Sequence, residues 1–424
     1  IIILEDFAHI LAATKSQIKN VILAKVGDCL GFAKGGAIDF YRKFIKREVP
    51  SYNFSVDNLA FKTLSFRKAL SLGSSIHFSP VQLTLRDPAL LQYTGGTTGV
   101  AKGAILSHGN ILANALQFEA WVSPLFVKGQ EIAITALPLY HIFALGANCF
   151  ALIKYGVASV LIANPKDIPS LVKEMSKYPF SFFSGVSTLF ASLLNDEQFT
   201  KLDFRHLKVT LGGGMAVQRV VAGRWKNVTG HVIIEAYGLT ECSPAVTVNP
   251  LNLPNFAGTI GLPLPSTDVI LIDDNGKEVP FFSIGELCVK GPQVMQGYYN
   301  KSEETEKVFT PDGYLKTGDL AVMDPDGFFR LVDRKKEIIL VSGFNVYPSE
   351  VEEVASSHPG VREVAAVGVR NEKSGESVKL FVVKKDTRLT EEELIAHCRK
   401  GLTGYKVPTA VEFRTSLPKS NVGK

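Results

Sequence analysis

Residues 158–196 alternate twice between a short run of β-branched or aromatic residues and a stretch of helical periodicity. Few architectures accept that rhythm. "ASVLIAN" (158–164) reads as a buried strand, and "DIPSLVKEMSKY" (167–178) as a helix that turns Leu171, Val172 and Met175 inward. "FSFFSGV" (180–186) returns as a strand and "STLFASLLND" (187–196) as a helix. Strands joined through helices run in the same direction, so the pattern predicts an α/β core of parallel strands.

From about Pro263 the pattern changes. "DVILID" (268–273), "GELCVKG" (285–291) and "LAVMDPDGFFRLVDR" (320–334) are short strands separated by turns such as "DDNG" and "DPDG". Asn, Asp and Gly accept the backbone angles those turns need. A β-rich subdomain is expected there, with the form of a distorted barrel. After Arg334 the pattern becomes compact α+β. A strand in "EIILVSG" precedes a helix in "YPSEVEEVASSHP", strands in "VREVAAVGVR" and "VKLFVVKK", and a helix over 390–402. Thr390 and Glu393 have the spacing of a capping box. The chain therefore divides into a large domain, 1–333, and a small mobile C-terminal one, 334–424, with the boundary near "VDRKKE" (332–337).

The stretch "YTGGTTGVAKGA" (93–104) puts four glycines and three threonines into twelve residues with one charge, Lys102. Glycine costs backbone entropy, so such a cluster points to work done by the backbone itself. A Walker A loop is excluded, because Lys102 is followed by Gly103 and not by Ser or Thr at the required spacing. A strand, loop and strand can still aim N–H groups, hydroxyls and one ammonium at phosphate oxygens. A bare hairpin turn is the alternative. Three other stretches favour the phosphate reading. "EAYGLTECSP" (235–244) ends a strand in a turn with Tyr237, Thr240 and Glu241. "YLKTGDLAVMDPDG" (314–327) sets Asp319 in a glycine turn, and "RKKEIILVSGFNVYPSEVE" (334–352) opens with three cations.

At 424 residues the chain exceeds one ordinary core, and about two or three domains are expected. Hydrophobic content of 46% and charge of 21% place it among globular proteins. A net charge of +5, thinly spread, is too small to argue for nucleic acid. Five cysteines lie far apart with no C-x-x-C pair, which argues against a zinc site or disulfide framework and for a reducing, cytoplasmic setting. The opening "IIILEDFAHI" reads as the end of a buried strand whose context lies outside the sequence. "LPLYHIFALGANCFALI" (137–153) is broken by Pro138, His141 and Asn148, so a core segment is expected and not a membrane span.

Together with "GGGMAVQRVVAGRW" (212–225), "ELCVKGPQVMQGYYN" (286–300) and "LTGYKVPTAVEFRTSLPKSNVGK" (402–424), these motifs resemble the adenylate-forming (acyl-CoA synthetase) superfamily. Within it they look like its bacterial long-chain fatty-acid–CoA ligase branch. The resemblance covers nearly the whole chain, and family members continue at both ends.

The resemblance implies that Thr94, Gly95, Gly96, Thr97, Thr98, Gly99 and Lys102 hold the β,γ-phosphates of ATP. Gly212, Gly213 and Gly214 would pass beside the adenine and the acyl carbonyl. Tyr237, with Gly238, resembles the residue whose ring packs on adenine, and Thr240 one that binds the α-phosphate. Glu241 matches a Mg²⁺ ligand, with Thr97 as a second. Hard magnesium favours one or two carboxylates with phosphate and water. Asp319 and Arg334 look like the pair that grips the ribose hydroxyls. His141 resembles a residue at the mouth of a fatty-acid tunnel, although a lone histidine in an apolar run is as readily a core residue. Phe143, Leu145 and Phe150 could likewise line that tunnel or fill a core.

Lys424 matches the catalytic lysine of adenylation, where an ammonium steadies the meeting of two anions. In the family the C-terminal domain then rotates about the position of Lys336. This withdraws the lysine and brings Ser342, Gly343 and Phe344 to the thiol channel. The implied reaction joins a fatty acid to CoA at the expense of ATP, through an acyl-adenylate, with Mg²⁺. Transfer to a carrier protein, or a nucleotide- or lipid-binding module without turnover, are the alternatives. Peripheral contact with the inner face of a membrane is compatible with the substrate, and the oligomeric state is open.

Overall fold

The computed structural model describes residues 1–14, 18–54, 62–94 and 101–418. It divides into two compact units, 1–82 and 83–424. In the first unit, strands Ile2–Leu4, Asn20–Ala24 and Lys62–Ser65 pair in parallel in that order. Ile2 and Ile3 of the opening run are therefore in a strand, as expected, but not a buried one: Ile2 and Leu4 are exposed.

The second unit holds the predicted α/β core. Strands Ala158–Leu161, Ile132–Thr135, Phe182–Gly185, Val209–Gly213 and Ile233–Gly238 lie side by side and parallel. Ala245–Val248 and Leu262–Pro263 extend the sheet antiparallel at one edge. Strand geometry sends successive side chains to opposite faces. Phe183, Ile134 and Ile233 accordingly enter one apolar cluster, while Phe182, Ala133 and Ile234 enter another. A sheet buried on both faces reads as continuous apolar runs, which is why the middle strands were legible. In the first cluster Trp225 stacks on Phe183 at 5.9 Å between centroids and meets Phe190 edge-on at 4.9 Å. Each fully buried aromatic ring there contributes roughly 2–3 kcal/mol.

Leu171, Val172 and Met175 are buried on the helix Ile168–Met175, as expected. The strand before that helix differs from expectation. Ala158–Leu161 is the outermost strand of the sheet, and Leu161 is exposed. Edge or centre is a property of the assembled sheet, and β-branched composition does not distinguish them.

The segment 137–153 is a core element. Its helix includes a π-helical stretch, Ala144–Ala151, and Asn148 inside it donates to Thr135 Oγ1 and accepts from Ser184 Oγ. Among the described residues no helix is long and apolar enough to cross a membrane.

Strands Asp268–Ile272, Gly285–Lys290, Leu315–Met323 and Phe329–Arg334 form the β-rich part, antiparallel and in sequence order. They do not close into the expected barrel. A four-stranded sheet is too narrow for closure, and beyond Phe329–Arg334 only a single bridge, Gly261 to Phe329, continues it among the described residues. The expected domain boundary near 332–337 falls inside the second unit, where this sheet gives way to a five-stranded one. In that last sheet Gly375–Lys384 pairs with Val361–Asn371, Ala410–Arg414 and Ile339–Val341.

Helix Glu391–Gly401 packs its Leu394 and Cys398 into the small core. It opens on the predicted capping box, with Thr390 Oγ1 accepting from Glu393 N–H at 3.2 Å and the Glu393 carboxylate accepting from Thr390 N–H at 3.0 Å. Thr390→Ala is expected to cost about 1 kcal/mol of unfolding free energy, measurable by urea denaturation. No change in the denaturation midpoint would show that the cap contributes nothing.

Candidate active site

Close packing brings three of the sequence-predicted segments together. A Cβ on Gly238 would lie 2.2 Å from the Pro244 carbonyl oxygen, so this turn closes only around glycine. A Cβ on Gly146, in the helix that follows His141, would meet Pro244 Cδ at 2.3 Å. One on Gly213 would be 3.1 Å from the Ala236 oxygen and 3.3 Å from the Phe143 ring. The helix after His141, the glycine turn 212–214 and the 237–245 turn therefore touch one another. Gly214 has φ +79°, a left-handed conformation that glycine takes at no steric cost.

At one end of this region Tyr237 Oη donates to Asp319 Oδ2 at 2.6 Å. Burial and the neighbouring Asp319 carboxylate push the phenol far above its usual range, so it remains a donor. Asp319 Oδ1 faces Arg334 Nε at 3.3 Å, on directly opposed residues of adjacent strands. The glycine turn predicted before Asp319 is present: Gly318 has φ +75°, and Asp319 N–H donates to Thr317 Oγ1 at 3.1 Å. Asp319 is thus fixed from three sides, with its partner Arg334 half exposed.

At the other end Tyr298 stands between two charges. Its hydroxyl donates to Glu241 Oε1 at 2.7 Å, and Lys102 Nζ lies 5.1 Å from its ring centroid. Burial, together with Glu241, drives this phenol upward as well. Backbone pairing holds the residue in place, since Ile105 N–H donates to the Gly297 oxygen and Tyr299 N–H to the Gly103 oxygen. Met295 N–H donates to the Glu241 oxygen at 2.7 Å. Lys102 also pairs with Glu304 Oε2 at 2.5 Å, and the hydrogen bond from Lys102, with that from Lys307, holds the Glu304 carboxyl down at about 2.

Thr94 ends its strand with Oγ1 donating to the Lys102 oxygen at 3.4 Å. Gly95, Gly96, Thr97, Thr98, Gly99 and Lys424 lie outside the described residues. Thr240 begins the short helical turn Thr240–Cys242, half-buried beside Glu241.

Glu241 fits a magnesium ligand. Among the described residues its Oε2 makes no hydrogen bond, and one carboxylate with phosphate and water oxygens suits this hard cation. Among the described residues no group of three or more His, Cys, Asp or Glu could hold a metal by protein ligands alone.

His141 Nδ1 accepts from Phe143 N–H at 3.2 Å. The aromatic and aliphatic residues after it divide between the two readings. Leu145 packs on the core beside the β-rich sheet and Phe143 on the α/β core. Phe150 instead lines a mostly apolar cavity of about 680 Å³, with Leu85, Leu90, Ile111 and Leu112.

The remaining predicted residues lie elsewhere. Ser342 and Gly343, with φ of +52° and +82°, form the two-residue turn of a hairpin, and Phe344 stacks on Tyr405 at 4.9 Å. Lys336 sits in the turn Lys335–Glu337, beside Lys335, which is paired with Glu286 and Asp274.

Three residues of this region carried no distinguishing signal in the sequence. Tyr298 and Glu304 act on partners 57 and 202 positions away. Glu235, buried behind the glycine turn, accepts from Val217 N–H at 3.0 Å.

The chain matches the AMP-binding enzyme family over residues 10–299 and the AMP-binding enzyme C-terminal domain over 350–424. It is 55% identical to a long-chain-fatty-acid–CoA ligase of Escherichia coli O6:H1 over its whole length, spanning 75% of that protein. It is 48% identical to one from Haemophilus influenzae with the same coverage. Among solved structures, ATP-bound MatB from Rhodopseudomonas palustris superposes with a TM-score of 0.78 at 26% identity, over 99% of this chain and 89% of that one. O-succinylbenzoate Coenzyme A synthetase from Bacillus subtilis, in complex with ATP and magnesium ion, gives 0.73 at 26% identity, over 96% and 78%. On sequence and fold, this chain belongs to the AMP-binding enzyme family.

Proposed function

We propose that this protein is a long-chain fatty-acid–CoA ligase, which converts ATP, a fatty acid and CoA into acyl-CoA, AMP and pyrophosphate through an acyl-adenylate. The observation that carries this reading is the 55% identity, over every part of the chain, to a ligase of that name. The geometry supports it at each end of the nucleotide. Asp319 is oriented by Tyr237 and Arg334 to accept from a pair of vicinal hydroxyls. Lys102 offers an ammonium to the phosphates, and Glu241, with Thr97, would hold Mg²⁺. When bound, that ion neutralises phosphate charge as pyrophosphate departs. The cavity beside Phe150 suits an aliphatic chain.

Lys424 is assigned to the first half-reaction and the Ser342–Phe344 turn to the second. The small domain, 334–424, changes place between the steps. Lys336 is its hinge.

The test has two arms. Exchange of labelled pyrophosphate into ATP should require a long-chain fatty acid, and free CoA should then release AMP and yield a thioester. ATP binding with no exchange for any fatty acid would contradict the reading. Exchange without a CoA thioester would assign the second step to a different acceptor.

A further inference from the structure

One side chain meets both charges at the phosphate end. Tyr298 donates its hydroxyl to Glu241 Oε1 at 2.7 Å, and its ring centroid lies 5.1 Å from the Lys102 ammonium. The first contact uses the oxygen and the second the ring face. The hydroxyl can therefore be removed while the ring stays.

The backbone beneath the ring is held on several sides. Tyr298 N–H donates to Thr305 Oγ1 at 2.8 Å, and Tyr298 pairs with Ala104 in an antiparallel bridge to the strand Lys102–Ser107. Gly297 has φ +146°, and a Cβ there would lie 2.8 Å from Thr305 Cγ2, so only glycine lets the chain pass this close. Met295 N–H takes the main-chain oxygen of Glu241 at 2.7 Å. The segment 295–298 thus grips Glu241 by its main chain and its side chain at once. Glu304, the ion-pair partner of Lys102, stands beside Thr305 on the helix Ser302–Val308. One short helix therefore anchors the Tyr298 backbone and the lysine together.

A cation ligand that is free to turn binds its cation less well, so ligating carboxylates are commonly fixed by a second group. A phenol does this without adding charge. A lysine or arginine in its place would offset the carboxylate and repel a dication. Burial and the adjoining Glu241 push the ionisation of Tyr298 far above the ordinary phenol range, so it stays a neutral donor.

We propose that Tyr298 is a positioning residue for the phosphate end of the site: its hydroxyl fixes Glu241 as the ligand of a nucleotide-bound divalent cation, and its ring sets Lys102 for the phosphates. The proposal rests on the roles given above to Glu241 and Lys102, and Tyr298 acts through them.

The test is calorimetric binding of ATP to the full chain, in EDTA and across a series of free Mg²⁺ concentrations. Tyr298→Phe keeps the ring and is expected to raise the half-saturating Mg²⁺ concentration about tenfold. Its binding of metal-free ATP should stay within about twofold of the parent, because the ring still faces Lys102. Tyr298→Leu removes the ring too, and should in addition weaken metal-free binding about threefold. A parent whose ATP binding tightens with Mg²⁺, beside a Tyr298→Phe variant of the same Mg²⁺ dependence, would overturn the proposal and leave the ligase assignment standing. Equal weakening of Tyr298→Phe with and without Mg²⁺ would overturn it as well, since a purely structural residue does not single out the metal. Metal-free binding by Tyr298→Leu equal to the parent would strike the ring's part. A parent that binds no ATP at any Mg²⁺ concentration would remove the nucleotide site itself, and the proposal with it.

Discussion

Asp319→Asn is expected to lower kcat/KM for ATP by about a hundredfold. The carboxylate is 13% exposed and already oriented, by the Tyr237 hydroxyl on Oδ2 and by Arg334 on Oδ1. Hydrogen bonds to a charged acceptor are worth about 1.5–3 kcal/mol, and asparagine replaces one of the two anionic oxygens with a donor. That donor would face the Tyr237 hydroxyl or the incoming ribose hydroxyl, and either contact is lost or reversed. In the proposed assignment the ribose is gripped alike before and during phosphoryl displacement, so the loss should appear in KM for ATP with kcat nearly unchanged. Tyr237→Phe is the control. It removes the orienting hydroxyl but leaves the charge, and should cost about tenfold or less. Initial rates of pyrophosphate exchange across ATP concentrations separate these outcomes. An Asp319→Asn enzyme with the parent KM would remove Asp319 from the nucleotide site.

That pair also shows where sequence reading stops. Asp319 was legible because "KTGDL" sets a carboxylate in a glycine turn, and Tyr237 because "AYGLTE" ends a strand. Their contact spans 82 positions and follows from where two sheets meet, which no local pattern encodes. The central strands were legible because a strand buried on both faces must be continuously apolar. The edge strand 158–161 shares that composition and differs only in having no outer neighbour. The helix Phe32–Phe40 of the first unit, continued by a wider turn over Tyr41–Ile45, is the sharper case. Its spacing of aromatic and basic residues is that of an ordinary amphipathic helix, and only the docking of Gly35 on Gly27 shows that the apolar stripe faces out. Lys102 and Glu304 illustrate a third limit. Glu304 sits in a charged run, "SEETEK", where any of three carboxylates could have been the partner, and the fold selects one.

Glu235→Gln is expected to stabilise the protein by about 2 kcal/mol at pH 8 and to leave it little changed near pH 5. Glu235 lies opposite Gly212 in the central sheet, 8% exposed. Burial pushes its carboxyl from 4.5 up to about 7, with the Val217 N–H and the nearby Arg219 pulling only partly the other way. Below the ordinary value both folded and unfolded chains carry the proton, and nothing is lost. Between pH 4.5 and about 7 the unfolded chain releases it while the folded chain keeps it, so stability falls as pH rises. Above about 7 both are ionised, and the loss levels off near about 3 kcal/mol. Glutamine keeps an oxygen for Val217 N–H and cannot ionise, which removes the slope. Its new amide N–H₂ in a buried position returns about 1 kcal/mol of that gain. Glu352, raised by burial in the same direction, leaves a residual slope in parent and variant alike, so the difference between them isolates Glu235. Chemical denaturation of both proteins at pH 5 and pH 8 reads that difference, and an equal gap at the two pH values would mean that Glu235 is ionised in the folded chain throughout.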